Sequence, residues 1–409
     1  MNLYFCFLNG IKKMSIKEKI HTLTASYLQE FISIRRYLHQ IPELGFEEFE
    51  TSKHIASKLD EYGISYKKGI AKTGIVAIIE GKNPEKKVIA LRADMDALCI
   101  TETNNISYKS KNEGVMHACG HDVHIACVLG AAKVLNKLKN EFEGTVKFFF
   151  QPSEEKFPGG ALAMINEKVL ENPNVQHVIG LHTLPTLNVG KVGVKQGKYM
   201  ASTDEIFIKV IGQGGHAATP ELNIDPIAIS SHILVELEKH FNKNKPQDYP
   251  SVLAFGKILG NGKTNIIPDE VNIEGTLRTY NEEWRSQVHE FIVSLASSIS
   301  ASKGGKCEVN IVKGYPVLFN NEKLTGIVNQ LATEYLGSNN VENLEMRMTA
   351  EDFAYFAQKV PSCYFRLGIR NEEKGITSNL HTSTFDVDES CINTGTALMA
   401  WIAVNLASI

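Results

Sequence analysis

The run Val88-Ile89-Ala90-Leu91-Arg92-Ala93-Asp94-Met95-Asp96-Ala97-Leu98 starts as a short, unbroken apolar strand and ends among carboxylates. A strand that is apolar on successive residues is buried on both faces, as in parallel sheets. Acidic residues at its carboxyl end fall where open α/β sheets place their sites. The arrangement recurs twice: Val146–Phe150 runs into Gln151-Pro152-Ser153-Glu154-Glu155, and His177–Leu181 ends on His182. Ile75–Ile79 reads as a further strand, joined to Val88 through the polar turn Gly81-Lys82-Asn83-Pro84. Ahead of these, apolar residues return at three- and four-residue steps from Ile16 to about Leu38. A second helix spans about Glu47 to Glu61, ending near Gly63. Strands alternating with helices predict an α/β fold, a mostly parallel mixed sheet with helices on both faces.

Around Gly190 the pattern changes. Lys191–Gln196 and Asp204–Gly212 read as strands, Pro226–His240 as a helix, Ser251–Leu259 and Glu270–Thr279 as strands, and Glu282–Ser302 as a helix. From about Tyr315 the earlier style returns, with a helix at Asn321–Tyr335, a short helix near Glu351–Phe356, a strand at Cys363–Leu367 and a closing helix after Val387. The expected organisation is one α/β domain, residues 16–190 and 311–409, interrupted by an α+β unit at 191–310. Residues 1–15 are expected to be an N-terminal extension.

At 409 residues the chain exceeds one core of ordinary size. Its 43% apolar and 22% charged residues are those of a globular protein, and a net charge of -3 gives no general pull toward nucleic acid or anionic membrane. Seven cysteines (6, 99, 119, 127, 307, 363 and 391) lack framework spacing, which favours a reducing compartment. The apolar start Met1–Leu8 lacks a basic segment and a small-residue cleavage site, and is too short to span a bilayer. A cytoplasmic protein is expected.

The chemistry concentrates in Met116-His117-Ala118-Cys119-Gly120-His121-Asp122-Val123-His124. Imidazole nitrogen and thiolate sulfur suit zinc and its neighbours. Gly120 lets the backbone bend so that Cys119 and His121 face one point. A helix follows, with Ile125, Val128, Leu129 and Val134 as its apolar stripe. The competing reading makes Cys119 a small buried hydrophobe and the histidines capping or surface residues. Asp96 could fix a ligating histidine through its second nitrogen. In the pair Glu154-Glu155, neighbouring side chains in extended chain point opposite ways, so one can ligate a metal while the other takes a proton from water. His182 and, near the C-terminus, His381 in Leu380-His381-Thr382 add two imidazoles.

In this order, His117-Ala118-Cys119-Gly120-His121-Asp122, Glu154-Glu155, Gly180-Leu181-His182 and Leu380-His381 with Phe385-Asp386 closely resemble the M20 metallopeptidase family. They are most similar to its amidohydrolase branch, which holds hippurate hydrolases, auxin-conjugate hydrolases and N-acyl-amino-acid deacylases. The resemblance covers the chain from about Phe31 onward. It implies a zinc-peptidase-like catalytic domain and a ferredoxin-like inserted domain that carries dimerisation. It further implies two divalent metal ions per subunit (zinc, or manganese, cobalt or nickel) held by Cys119, His121, Glu155, His182 and His381. Glu154 is the implied general base. His216, in Gly214-Gly215-His216-Ala217, is implied to reach a partner subunit's site and steady the oxyanion. Asn265 and Arg278 match positions that hold substrate carboxylate or carbonyl in relatives, although an arginine on a strand is equally an ordinary surface charge. Cys99, where relatives carry proline, and Thr382-Ser383, where they carry Ser-Pro, depart from the pattern without touching an implied ligand.

The implied activity is hydrolysis of an N-acyl amino acid to a carboxylic acid and a free amino acid by a homodimer or tetramer. An aminopeptidase or dipeptidase is the enzymatic alternative. A metal-storing or redox-sensing protein gives no reason for a free Glu154 beside Glu155, and a dimerisation module explains none of the ligand loops.

Overall fold

The computed structural model describes residues 14–408, so residues 1–13, with Cys6 and most of the expected N-terminal extension, lie outside the described residues. Helices α1 (Ile16–Gln40) and α2 (Phe49–Tyr62) lead into β1 (Ser65–Ile70), β2 (Gly74–Glu80), β3 (Val88–Asp94), α3 (His121–Leu138), β4 (Thr145–Gln151), α4 (Gly160–Asn166) and β5 (His177–Asn188). Then come β6 (Val192–Val194), β7 (Gly197–Met200), β8 (Asp204–Ile211), β9 (Gly215–His216), α5 (Pro226–Asn244), β10 (Val252–Leu259), β11 (Ile266–Ile267), β12 (Glu270–Arg278), α6 (Glu282–Ser302) and β13 (Lys306–Lys313). The described chain closes with β14 (Leu318–Asn320), α7 (Glu322–Leu336), β15 (Val341–Asn343), α8 (Ala354–Ala357), β16 (Ser362–Arg370) and α9 (Cys391–Ser408).

Eight strands form one sheet in the order β1-β2-β4-β3-β5-β16-β6-β15. Its centre, β4, β3, β5 and β16, is parallel, while β1 and β2 add an antiparallel edge. From β3 the chain reaches β4 on one side and then β5 on the other, which opens a crevice at the carboxyl ends of these three strands. Strand β4 shows why the central strands read as continuous apolar runs. Phe148 and Phe150 join Phe31 of α1, Val128 of α3 and Leu398 of α9 in one core. Phe149 points to the other face, stacked on Phe356 of α8 at 5.6 Å between ring centroids. Among the described residues α9 is the one helix long and apolar enough to cross a membrane, but it is buried against α1 and α3, so core packing accounts for its composition.

A four-stranded antiparallel sheet, β10-β12-β8-β13, forms the inserted unit. Helices α5 and α6 cover one face through Ile229, Ile233, Leu237, Val288 and Ile292 against Ile206, Ile208 and Val210.

Several expectations are corrected. Lys191–Gln196 does not open the inserted unit: β6 pairs with β15 and β16 in the large sheet. The fourth strand of the small sheet is β13, so that sheet spans Asp204 to Lys313 instead of starting at 191. Strand β1 carries too few apolar residues to announce itself, because it is an edge exposed along most of its length. Strand β5 continues past His182 to Asn188. Helix α3 is buried round nearly its whole circumference, so its four-residue stripe understates the packing.

Both chain crossings between the units converge on Arg285, whose guanidinium is fully buried. It donates from Nε and Nη2 to the two Asp204 oxygens (2.9 and 2.5 Å) and from Nη2 to the carbonyls of Thr203 and Gly314 (3.2 and 3.0 Å). His289 adds Nε2 at 2.7 Å from Asp204. Burial opposes ionisation of Asp204, but Arg285 and His289 outweigh it and bring its carboxyl to about 2. Arg285→Met strands that carboxylate and should cost about 3–5 kcal/mol, read from urea unfolding. A folded-state value below the ordinary one stabilises the protein above about pH 4. That contribution should fade as pH falls toward 2 in the parent and be reduced in the variant.

Candidate metal centre

Helix α3 starts at His121, with Gly120 as its N-cap at φ +85°. A Cβ on Gly120 would meet Thr183 Oγ1 at 2.7 Å, so the position requires glycine on both counts. That close approach stitches the cluster to β5. Thr183 Oγ1 donates to the Cys119 carbonyl (2.9 Å) and Thr183 N to His124 Nε2 (2.9 Å). Asp122, although in the cluster, is turned toward α1, where Arg35 Nε and His39 Nδ1 each lie 2.8 Å from its Oδ2. Burial opposes its ionisation, yet Arg35 and His39 hold it far below the usual carboxylate range.

Hydrogen bonds set the histidine tautomers. His121 Nδ1 donates to the Asp96 carbonyl (2.8 Å), and His182 Nδ1 donates to the Thr183 carbonyl (2.7 Å). In the neutral form of each ring Nε2 therefore carries the lone pair. Asp96, expected to fix a ligating histidine, does so for His121: its carboxylate Oδ1 lies at 3.3 Å, and its main-chain oxygen is the nearer acceptor. His124 is already engaged on both sides, accepting from Thr183 N and facing Asp94 Oδ1 at 2.5 Å.

The loop after β4 brings the acid pair to the same place. Ser153 sits at φ +50°, held by its N–H to the buried Glu48 (2.8 Å), and the Glu155 N–H donates to Asp96 Oδ2 (2.9 Å). The Tyr315 hydroxyl donates to the Glu154 carbonyl. His381 arrives from a loop far along the chain, at φ +60°, pinned by its N–H to the Ala118 carbonyl (2.8 Å). Left-handed backbone at two non-glycine residues costs on the order of 1–3 kcal/mol each and gathers at functional sites.

The donors converge. Cys119 Sγ lies 3.3 Å from His182 Nε2 and 3.4 Å from His381 Nε2, while Glu155 Oε1 lies 3.3 Å from His381 Nε2 and 4.0 Å from His121 Nε2. Cys119, His121 and His182 form one group with donor atoms within 4.8 Å of one another, and Cys119, Glu155 and His381 form a second that shares the thiol. His121 Nε2 and Glu155 Oε1 are buried without any hydrogen-bond partner. Two orphaned acceptors beside a sulfur and two further imidazole nitrogens are what a cation would satisfy, so the residues fit a divalent metal. Without one, burial and the nearby Glu155 and Glu154 charges push the Cys119 thiol well up. Burial disfavours charge on His121, but Asp94, Asp96 and Glu155 raise it to about 10. Burial, with Glu351 and Glu155 close by, also raises Glu154 well above the carboxylate range.

Four of the five expected ligands, Cys119, Glu155, His182 and His381, line one cleft of about 270 Å³ with Glu154, and Arg278 also lines it from the inserted unit; His121 stands buried behind them, its Nε2 4.0 Å from Glu155 Oε1. His216 and Asn265 do not join it. They lie together and exposed near the β9–β11 ladder, where Ala217 N donates to the Asn265 carbonyl (3.1 Å). Sequence reading missed Tyr315, Arg347, Glu351 and Arg366, which the fold carries into the cleft from distant segments without a motif of their own.

Residues 90–405 match peptidase family M20/M25/M40, and the chain belongs to this family of hydrolases. It is 38% identical to N-acetyl-L-cysteine deacetylase of Bacillus subtilis, over 93% of this chain and 89% of that protein. It is 37% identical to thermostable carboxypeptidase 2 of Saccharolobus solfataricus, over 97% and 100%. The crystal structure of the YXEP protein of Bacillus subtilis, a dinuclear metal binding peptidase of the M20 family, matches with a TM-score of 0.81 at 33% identity, covering 94% of this chain and 99% of that one.

Gly120→Ala should displace Thr183 and loosen Cys119. Thermal unfolding should fall by an amount worth about 1–3 kcal/mol, and bound metal, measured by elemental analysis, should fall with it.

Proposed function

We propose that the protein is a metal-dependent amidohydrolase that cleaves N-acyl amino acids, N-acetyl or N-benzoyl among them, to a carboxylate and a free amino acid. The observation that carries this reading is Glu154. It is a buried carboxyl facing the cleft, with its donor atom within 4.8 Å of those of His121 and Glu155, so it reaches the water that ions held beside it would bind. Divalent ions held by Cys119, His121, Glu155, His182 and His381 would polarise the scissile carbonyl and make nearby water more acidic. The mixed sulfur, nitrogen and oxygen set suits zinc, with manganese, cobalt or nickel as alternatives. Glu154 takes a proton from the attacking water and returns it to the leaving nitrogen. Arg278 holds the substrate carboxylate through its planar fork. The small cleft favours a small substrate.

His216 and Asn265 act, in this reading, in the cleft of a second copy, where His216 donates to the carbonyl oxygen as charge develops. Their exposure outside their own chain's cleft supports that role. The six described cysteines are free, which supports a reducing, cytoplasmic setting.

The likeness to a carboxypeptidase favours a second reading with the same bond chemistry, because both activities cut an amide whose nitrogen belongs to an amino acid with a free carboxylate. An aminopeptidase would instead require a free substrate amine. Hydrolysis of N-acetyl, N-benzoyl and N-blocked dipeptide substrates, beside unblocked dipeptides, separates the three. Chelator-sensitive release of amino acid from the small blocked substrates is expected, with recovery on metal add-back. Cleavage of unblocked dipeptides alone would overturn the proposal.

Glu154→Gln should keep its metal by elemental analysis and lose about 10²–10⁴-fold in kcat; a near-normal rate would remove Glu154 as the base. Mixing Glu154→Gln and His216→Ala proteins should restore activity that neither has alone, because a mixed dimer holds one intact site.

A further inference from the structure

The cleft carries both signs of charge. Glu154, Glu155 and the Cys119 thiol line it. Three guanidinium groups line it too, Arg278 from β12, Arg347 from the loop after β15 and Arg366 from β16. Among the described residues none of the three forms an ion pair with a carboxylate, unlike the buried Arg35, Arg92 and Arg285. Arg366 is the clearest case. It is 3% exposed, and its donors reach only the Tyr199 hydroxyl (2.8 Å) and the Met200 sulfur (3.1 Å), with the Tyr199 and Tyr364 rings at 5.5 and 5.2 Å. Arg278 reaches only the Met348 carbonyl (3.1 Å). Arg347 is half-buried, and no side-chain hydrogen bond of its own is formed among the described residues; its backbone is fixed to Tyr199 and Ala201. Glu351, which also lines the cleft, is already taken by Arg92 Nη2 (3.0 Å) and the Tyr364 hydroxyl (2.5 Å).

A guanidinium has five N–H donors and stays charged, so burying one without a counter-ion costs several kcal/mol. One substrate carboxylate occupies one arginine fork, and Arg278 serves it in the proposed reaction. Two cationic groups then remain. We infer that Arg347 and Arg366 form a second anion subsite, and that the preferred substrates are N-acyl amino acids carrying a second carboxylate. That group can belong to the amino-acid side chain or to the acyl part; the chemistry that recognises it is the same. This inference rests on the proposed function but concerns these arginines alone.

The test compares N-acetyl-L-alanine, one charge, with N-acetyl-L-glutamate, second charge on the side chain, and N-succinyl-L-alanine, second charge on the acyl group. Affinities are measured by calorimetry on metal-loaded Glu154→Gln protein, and kcat/KM on the parent. One of the doubly charged compounds should bind about tenfold tighter or more, the discrimination a single charge-assisted pair supplies. Whichever does so locates the second group. Arg347→Met should bring that ratio toward one and Arg347→Lys should restore part of it. Because Arg366 lies in the core and Arg366→Met could fail to fold, the half-buried Arg347 carries the test. Equal affinity for all three compounds, or an Arg347→Met protein that keeps the full ratio, overturns the inference. If no blocked substrate is hydrolysed yet doubly charged compounds still bind selectively, the hydrolytic reading falls and the anion subsite stands.

Discussion

Around the sulfur of Cys119, atoms able to bind a metal crowd together. His182 and His381 present ring nitrogens, Glu155 an oxygen, and the proton of the His182 ring is committed elsewhere, to the carbonyl of Thr183. Such a convergence is costly in a protein that holds no cation there and favourable in one that does. Much of the surrounding structure can be understood as holding it in place. Gly120 admits Thr183, Thr183 ties β5 to the cluster, the Asp96 carbonyl orients His121, and Ala118 anchors the strained backbone of His381.

Buried charges surround this centre, and several are neutralised by a specific neighbour. Arg92 reaches Asp94, Glu351 and Asp352, and Arg35 reaches Asp122 and Asp386. Removing one partner of such pairs strands the other, so these networks tie the site loops to the sheet and to α1 more firmly than apolar contact would. Against that pattern, the arginines lining the cleft stand apart. Their missing partners leave positive charge beside the candidate metal donors.

The cleft belongs to both units. The large unit supplies the candidate ligands and Glu154, and the inserted unit supplies Arg278. Arg285 clamps both crossings, which lets the inserted unit act as a wall for the large one. Its exposed β9–β11 ladder, with His216 and Asn265, lies beyond its own cleft.

Local sequence by itself determined the elements that carry the centre. Strands β3, β4 and β5 are apolar on successive residues because helices cover both faces, and each leads into or carries polar donors at the crevice. Cys119, Gly120 and His121 are adjacent, and so are Glu154 and Glu155, so short-range chemistry was enough to single them out. What depends on the pairing of remote segments was decided only by the tertiary structure. The register of β16 on β5 puts Arg366 opposite His182, and β13 completes the small sheet after α6 despite its polar ends. Arg347 comes to the cleft on a loop whose own residues give no sign of it. The acceptor nearest His121 is the main-chain oxygen of Asp96, which carries no side-chain signature in the sequence. An arginine reads the same in sequence whether it faces water or a buried wall. Only packing removes its solvent and its counter-ion, and so turns a common surface charge into a binding group.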